Sequence, residues 1–141
     1  MQRDIKHSWI FDHKPEIVWD YLTKAELMEQ WLMENDFQPV VGHKFMFNTR
    51  PKIKLGFDGK VYCEVLEVVP YKKLSYSWKG GNLDSVVTWT LQEKEGSTEL
   101  HLEHAGFKGM ANYLAFFFMN EGWRTKIPNR LKQLMNSADK Q

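Results

Sequence analysis

Between Gly109 and Asn136 the apolar residues return every three or four positions, at Ala115, Met119, Trp123, Ile127, Leu131 and Leu134. That period sets one stripe along one side of a helix. A helix of about 28 residues would be roughly 42 Å long at 1.5 Å per residue, enough to cross a small domain. Upstream the period shortens to two. Val87, Trp89 and Leu91 alternate with Thr88, Thr90 and Gln92, and Leu100, Leu102 and His104 resume the alternation after Glu95-Gly96-Ser97, which predicts a hairpin of half-buried strands. Leu74, Tyr76 and Trp78 share one face of another strand, as do Phe45 and Phe47 within His43 to Asn48. Lys60 to Val69 reads as a strand stopped by Pro70-Tyr71-Lys72-Lys73, and Ile5 to Phe11 as the first strand. Thr49 to Gly56 reads as a loop or irregular edge, and Gly80-Gly81-Asn82 as a turn.

Two short helices fill the gap after the first strand. Pro15 suits a first helical position, where its missing N–H costs nothing, and Ile17, Val18, Tyr21 and Leu22 supply an inner face. Thr23-Lys24-Ala25-Glu26 matches the T-x-x-E capping box, predicting a second helix to about Leu32 with Leu27 and Trp31 on one side. Strands joined by short turns pair antiparallel, and a sheet with one apolar face needs a cover. The expected fold is therefore α+β: a curved antiparallel sheet of six to seven strands closed by the long C-terminal helix. Pro128 falls inside that helix and predicts a kink around Arg124 to Ile127. With no repeat, linker or low-complexity tract, residues 1–141 are expected to form a single domain.

Composition narrows the partners. Nineteen basic and eighteen acidic side chains leave a formal charge of +1, so no broad field favours nucleic acid. Cys63 is the sole cysteine, which rules out an internal disulfide, and the charged N-terminus MQRDIKHSW lacks the apolar run of a signal peptide. A cytoplasmic protein is expected. The densest apolar run, LAFFFM, is a third of the roughly 18 residues a membrane span requires. Aromatic content stands out instead: six Trp, nine Phe and five Tyr can fill a core or line an apolar pocket.

No nucleophile elbow, phosphate-binding loop, dinucleotide fingerprint or H-E-x-x-H is present, so no enzyme and no cofactor are expected. His101 and His104 are three apart on a strand and point to opposite faces, so they cannot share a metal. Glu64, Glu67, Glu99 and Glu103 are assigned to a solvated outer face. His104 shares parity with Leu100 and Leu102, and Tyr76 with Leu74 and Trp78. Each is either a satisfied buried polar group or a ligand-orienting donor. Trp31, Phe45, Phe47, Trp89, Met119 and Trp123 are either ordinary core or the wall of a pocket left where sheet and helix diverge. Tyr113, Phe116 and Phe117 form a second apolar strip on the long helix, for which the Thr49 to Gly56 loop, a membrane surface or a second copy could be the cover; a homodimer is preferred. Arg124, Lys126, Arg130 and Lys132 read as a solvated face near the negative helix end.

The landmarks P-E-I-V-W (Pro15 to Trp19), L-T (Leu22, Thr23), W-L (Trp31, Leu32), V-G-H-K-F (Val41 to Phe45) and E-V-L-E-V-V-P-Y-K-K-L-S-Y-S-W (Glu64 to Trp78) occur in that order. V-T-W-T-L (Val87 to Leu91), T-E-L-H-L-E-H-A-G-F (Thr98 to Phe107) and G-W (Gly122, Trp123) follow. Together they resemble the stand-alone proteins related to the activator of the heat-shock protein 90 ATPase, within the START-like (SRPBCC) superfamily, from about Ile5 to Leu134. The resemblance implies a helix-grip, Bet v-like fold with two short helices between the first two strands. It also implies a cavity between sheet and helix holding a hydrophobic small molecule such as a lipid, polyketide or flavonoid. Trp31, Phe45, Phe47, Tyr76, Trp89, His104, Met119 and Trp123 are the expected ligand-binding residues. A protein-interaction module of the chaperone-activator kind is the alternative, although the additional N-terminal domain of the eukaryotic activator is not expected in this chain. A cyclase or hydrolase is the third reading. The chain departs from the family pattern at Cys63, usually glycine, at the apolar segment Leu114 to Met119, and at Pro128.

Overall fold

The computed structural model describes residues 2–49, 58–81, 83–108 and 119–138. Strand β1 (Gln2–Phe11) leads into α1 (Pro15–Thr23) and α2 (Ala25–Trp31), followed by a two-residue strand β2 (Glu34–Asn35). Strands β3 (Lys44–Asn48), β4 (Lys60–Val69), β5 (Lys73–Gly80), β6 (Leu83–Lys94) and β7 (Ser97–Lys108) come next. The C-terminal helix is described from residue 119. It contains a π-helical turn, Gly122–Lys126, and then α3 (Ile127–Ala138). All strand pairs are antiparallel in one sheet of order β1-β7-β6-β5-β4-β3-β2, so chain return to β7 brings the last strand beside the first. This is the expected helix-grip architecture, with β2 as an element too short to be signalled by alternation.

Alternation decides the two faces of the sheet. Leu74, Tyr76 and Trp78, Val87, Trp89 and Leu91, and Leu100, Leu102 and His104 all face inward and are buried, while Thr90, Gln92 and Glu103 face out. The period breaks at a register shift between Val65 and Glu67 in β4 and at a bulge in β7. Asp4 pairs with Ala105 and Arg3 with Phe107, so Gly106 is the extra residue and Phe107 turns inward only three positions after His104. Gly106 takes φ +115°, and a Cβ there would stand 3.0 Å from the Asp84 carbonyl oxygen. Only glycine allows β7 to lie this close to β6.

The helices correct several expectations. Pro15 does open α1, but Val18, Trp19 and Leu22 form its buried face and Ile17 is 42% exposed. The capping box does not form: Lys24 is the N-cap of α2 and offers no side-chain bond, while Thr23 ends α1 with its hydroxyl donating to the Trp19 carbonyl at 2.7 Å. A threonine four residues along a helix can bond back to that carbonyl, and here this competes successfully with capping. Met28, rather than Leu27, joins Trp31 as the buried pair of α2.

Pro128 produces more than a bend. A proline at position 128 cannot donate to the Arg124 carbonyl and its ring crowds that turn. The backbone answers with the π turn, closed by the Ile127 N–H donating to the Gly122 carbonyl. The turn inserts one residue into the helical period. Buried positions therefore run Trp123, Pro128, Leu131, Met135, with Ile127 and Leu134 only partly buried. The strip Tyr113, Phe116 and Phe117, Ala115, and most of the Thr49 to Gly56 loop lie outside the described residues.

Candidate functional site

The aromatic residues singled out in the sequence converge on the inner face of the sheet. Trp31 comes from α2, Phe45 and Phe47 from β3, Tyr76 from β5, Trp89 from β6, His104 from β7 and Trp123 from the π turn. All seven are buried, and Met119 packs against them half-buried. Trp78 joins them into one ring-to-ring wall, meeting Phe47 at 5.3 Å and Trp123 at 5.8 Å. Trp31 meets Trp89 at 6.0 Å between centroids, Trp89 meets Trp123 at 5.5 Å, and Phe45 meets both Phe47 and Tyr76 at 5.3 Å. Most of these contacts are edge-to-face, the arrangement the ring quadrupoles favour.

Every polar atom of this wall has a partner. The Trp31 indole donates to the Tyr21 carbonyl at 2.8 Å, and the Trp89 indole to the Tyr76 hydroxyl at 3.0 Å. Burial raises the Tyr76 hydroxyl far above its usual ionisation range, against a smaller opposing effect of the Trp89 bond. Burial likewise pushes the Cys63 thiol up, with Asp36 adding to it, so Cys63 behaves as a small apolar group beside Phe45.

His104 lies at the centre of a buried polar chain. The Trp123 indole N–H can only donate, and it lies 3.1 Å from His104 Nδ1, so Nδ1 is the acceptor. The imidazole proton is therefore on Nε2, which donates to Ser85 Oγ at 2.7 Å, and Ser85 in turn donates to the Trp78 carbonyl at 3.0 Å. Burial lowers the His104 pKa from 6.5 to about 3, which keeps the ring neutral. Although Ser85 and His104 are as close as a nucleophile and its base, the proton runs the wrong way: His104 gives a hydrogen bond to the serine instead of taking its proton. This arrangement orients side chains and does no acid–base chemistry.

Three contributors were not singled out by sequence reasoning. Ser85 and Trp78 belong to the polar chain, and Phe107 stacks edge-on to His104 at 4.8 Å. Ser85 follows the inward alternation of β6 and could have been found from its parity with Val87 and Trp89. Phe107 could not, because strict alternation after His104 sends it outward and only the Gly106 bulge returns it. Two open depressions lie away from this wall. One of about 300 Å³ is lined by Asp58, Tyr62, Lys79, Gly80 and Gly81; another of about 450 Å³ crosses the outer face at Lys6, Ser8, Lys73, Thr88, Thr90 and His101. Among the described residues, no group of three or more His, Cys, Asp or Glu could hold a metal ion.

Residues 12–136 match the family described as Activator of Hsp90 ATPase homolog 1-like protein. Protein MLL2253 from Mesorhizobium loti is 35% identical, with 96% of this chain and 98% of that chain covered at a TM-score of 0.86. Protein BH1534 from Bacillus halodurans is 28% identical, covering 94% of this chain and 98% of that one at a TM-score of 0.77. PFC0360w, an HSP90 activator from Plasmodium falciparum, shares the fold at 18% identity and a TM-score of 0.74, over 94% of this chain and 96% of that chain. No curated protein matches the sequence. Among the described residues no helix is long and apolar enough to cross a membrane.

Proposed function

The chain belongs to the family of activator of Hsp90 ATPase homolog 1-like proteins, and from that premise we propose that it binds a hydrophobic small molecule, non-enzymatically, against the aromatic wall between sheet and C-terminal helix. The observation that carries the reading is the complete internal pairing of the wall's polar atoms: Trp31 with Tyr21, Trp89 with Tyr76, Trp123 with His104. What such a wall offers a ligand is flat apolar surface, suited to a polyketide, flavonoid or acyl chain. The rings pack on one another, so a ligand enters by displacing side chains. Met119, unbranched and half-buried on the helix, is the side chain that gives most readily. Trp123 beside it then exchanges part of its contact with Trp89 for contact with the ligand.

A binding role is favoured over acid–base chemistry by the state of the buried titratable groups. His104 is held neutral with its proton committed to Ser85, and Tyr76 and Cys63 are held protonated by burial. The test is titration of the protein with flavonoids, aromatic polyketides and fatty acids, read by Trp fluorescence and by melting temperature. Quenching together with a raised melting temperature is the expected result. A panel that changes neither at saturating concentration overturns the proposal.

Family membership supports a second reading, a protein-interaction module that stimulates a chaperone ATPase. It places the functional surface outside the aromatic interior. Addition of the protein to an intact chaperone, with ATP turnover as the readout, separates the two.

A further inference from the structure

The outer face of the sheet carries a second serine–histidine pair, and its polarity is opposite to that of the buried one. Ser8 on β1 and His101 on β7 are cross-strand partners, and Ser8 Oγ lies 2.7 Å from His101 Nδ1. On the same strand and face, Glu99 Oε1 lies 2.9 Å from His101 Nε2. The other Glu99 oxygen pairs with Lys94. That bond to Lys94, followed by the field of Lys94 and His101, lowers the Glu99 pKa, so the carboxylate is ionised and can only accept. The His101 proton therefore sits on Nε2. In the neutral ring Nδ1 presents its lone pair, and it is Ser8 that donates.

We propose that Ser8 is a nucleophile that takes an acyl group from activated esters, with His101 as its general base and Glu99 as the group that positions His101. Nucleophile to base and base to orienter both lie within hydrogen-bond reach, the geometry that activates a serine hydroxyl. The hydroxyl is exposed and opens into the outer-face depression of about 450 Å³, which leaves room for a small ester. Lys6, two residues before Ser8 on the same face, and its partner Glu103 at 3.9 Å both line that depression. In the step itself, Ser8 Oγ attacks the ester carbonyl carbon while its proton passes to His101 Nδ1. The bond to the leaving oxygen breaks, that oxygen takes the proton, and the acyl group remains on Ser8 as an ester. Sequence alone could not show the cluster, because 93 residues separate Ser8 from His101.

The contrast with the interior makes the assignment specific. At Ser85 the histidine donates because an indole N–H occupies its other nitrogen; at Ser8 the histidine accepts because a carboxylate occupies its other nitrogen. Only the second can remove a proton from serine.

The test uses the full chain with p-nitrophenyl acetate, followed over time by intact mass and peptide mapping. Acetylation of Ser8 is expected to outpace that of the half-buried hairpin residue Ser97, and H101Q is expected to slow labelling of Ser8 by roughly a hundredfold, the scale of general-base assistance. E99Q should slow it to a lesser extent, and S8A should remove that acetyl group while labelling at Ser97 continues. All three positions are on the sheet surface, and circular dichroism verifies that each variant is folded. Labelling of Ser8 no faster than Ser97, or at the wild-type rate in H101Q, overturns the proposal.

Discussion

The indole N–H of Trp123 donates to Nδ1 of His104 across 3.1 Å, and this one contact fixes which imidazole nitrogen carries the proton. Nitrogen NMR of the histidine ring is expected to show Nδ1 without a proton and Nε2 with one. Trp123→Phe removes the donor and leaves a buried acceptor unpaired, at a cost of about 1–3 kcal/mol, measurable by urea denaturation. Stability unchanged in W123F would mean that the bond does not hold the ring.

Stability should fall on acidification through this same ring. The folded-state pKa of His104 is lowered from 6.5 to about 3 by burial, so between those values the unfolded chain binds a proton that the folded chain does not. The contribution is fully present above about pH 6.5 and is lost as pH falls towards 3, with a slope of about 1.4 kcal/mol per pH unit. His104→Gln should flatten that part of the profile. An unchanged slope in H104Q would contradict burial as the cause.

Gly106→Ala should destabilise the protein by about 1–3 kcal/mol, since the position needs a positive φ and the new methyl meets backbone. The damage should be local. Chemical shifts of His104 and Phe107 on one side, and of Asp4, whose carboxylate accepts from the Gly106 N–H at 3.3 Å, on the other, are expected to move most.

How far the sequence carries can be seen at these same residues. Strand alternation located the inward positions of β5, β6 and the first part of β7 because apolar burial on one face is what the period of two records. It missed Phe107 because a bulge changes the period by one residue, and nothing in a hydrophobicity pattern marks the bulge except Gly106 itself. The helical stripe found the buried positions Trp123 and Leu131 but also named Ile127 and Leu134, which are only partly buried. Pro128 announced a distortion, but a kink and an inserted residue have the same sequence signature. The eight expected ligand-binding residues could be named because most of them lie on the apolar side of their own strand or helix. Their mutual pairing depends on indole and imidazole orientations that no spacing encodes.

The inserted residue of the π turn gives its own test. Deleting Thr125 together with Pro128→Ala should restore an ordinary helical period and keep both Trp123 and Leu131 facing the sheet, with a stability change within about 1 kcal/mol. Deleting Asn129, beyond the turn, should rotate Leu131 and Met135 off the core, costing roughly 2–5 kcal/mol for each large side chain lost. Thermal unfolding compares the two. Equal losses would show that the turn is not the insertion point.

The indole N–H resonances of Trp89 and Trp123 report directly on the aromatic wall as a binding surface. Both indoles are buried and hydrogen-bonded, to Tyr76 and His104 respectively, so their signals are separated from solvent effects. Titration with a flavonoid, an aromatic polyketide and a long-chain fatty acid is expected to shift or broaden these two resonances saturably for at least one class. If all three reach saturating concentrations and neither indole signal moves, the interior is a packed core and the small-molecule reading is wrong.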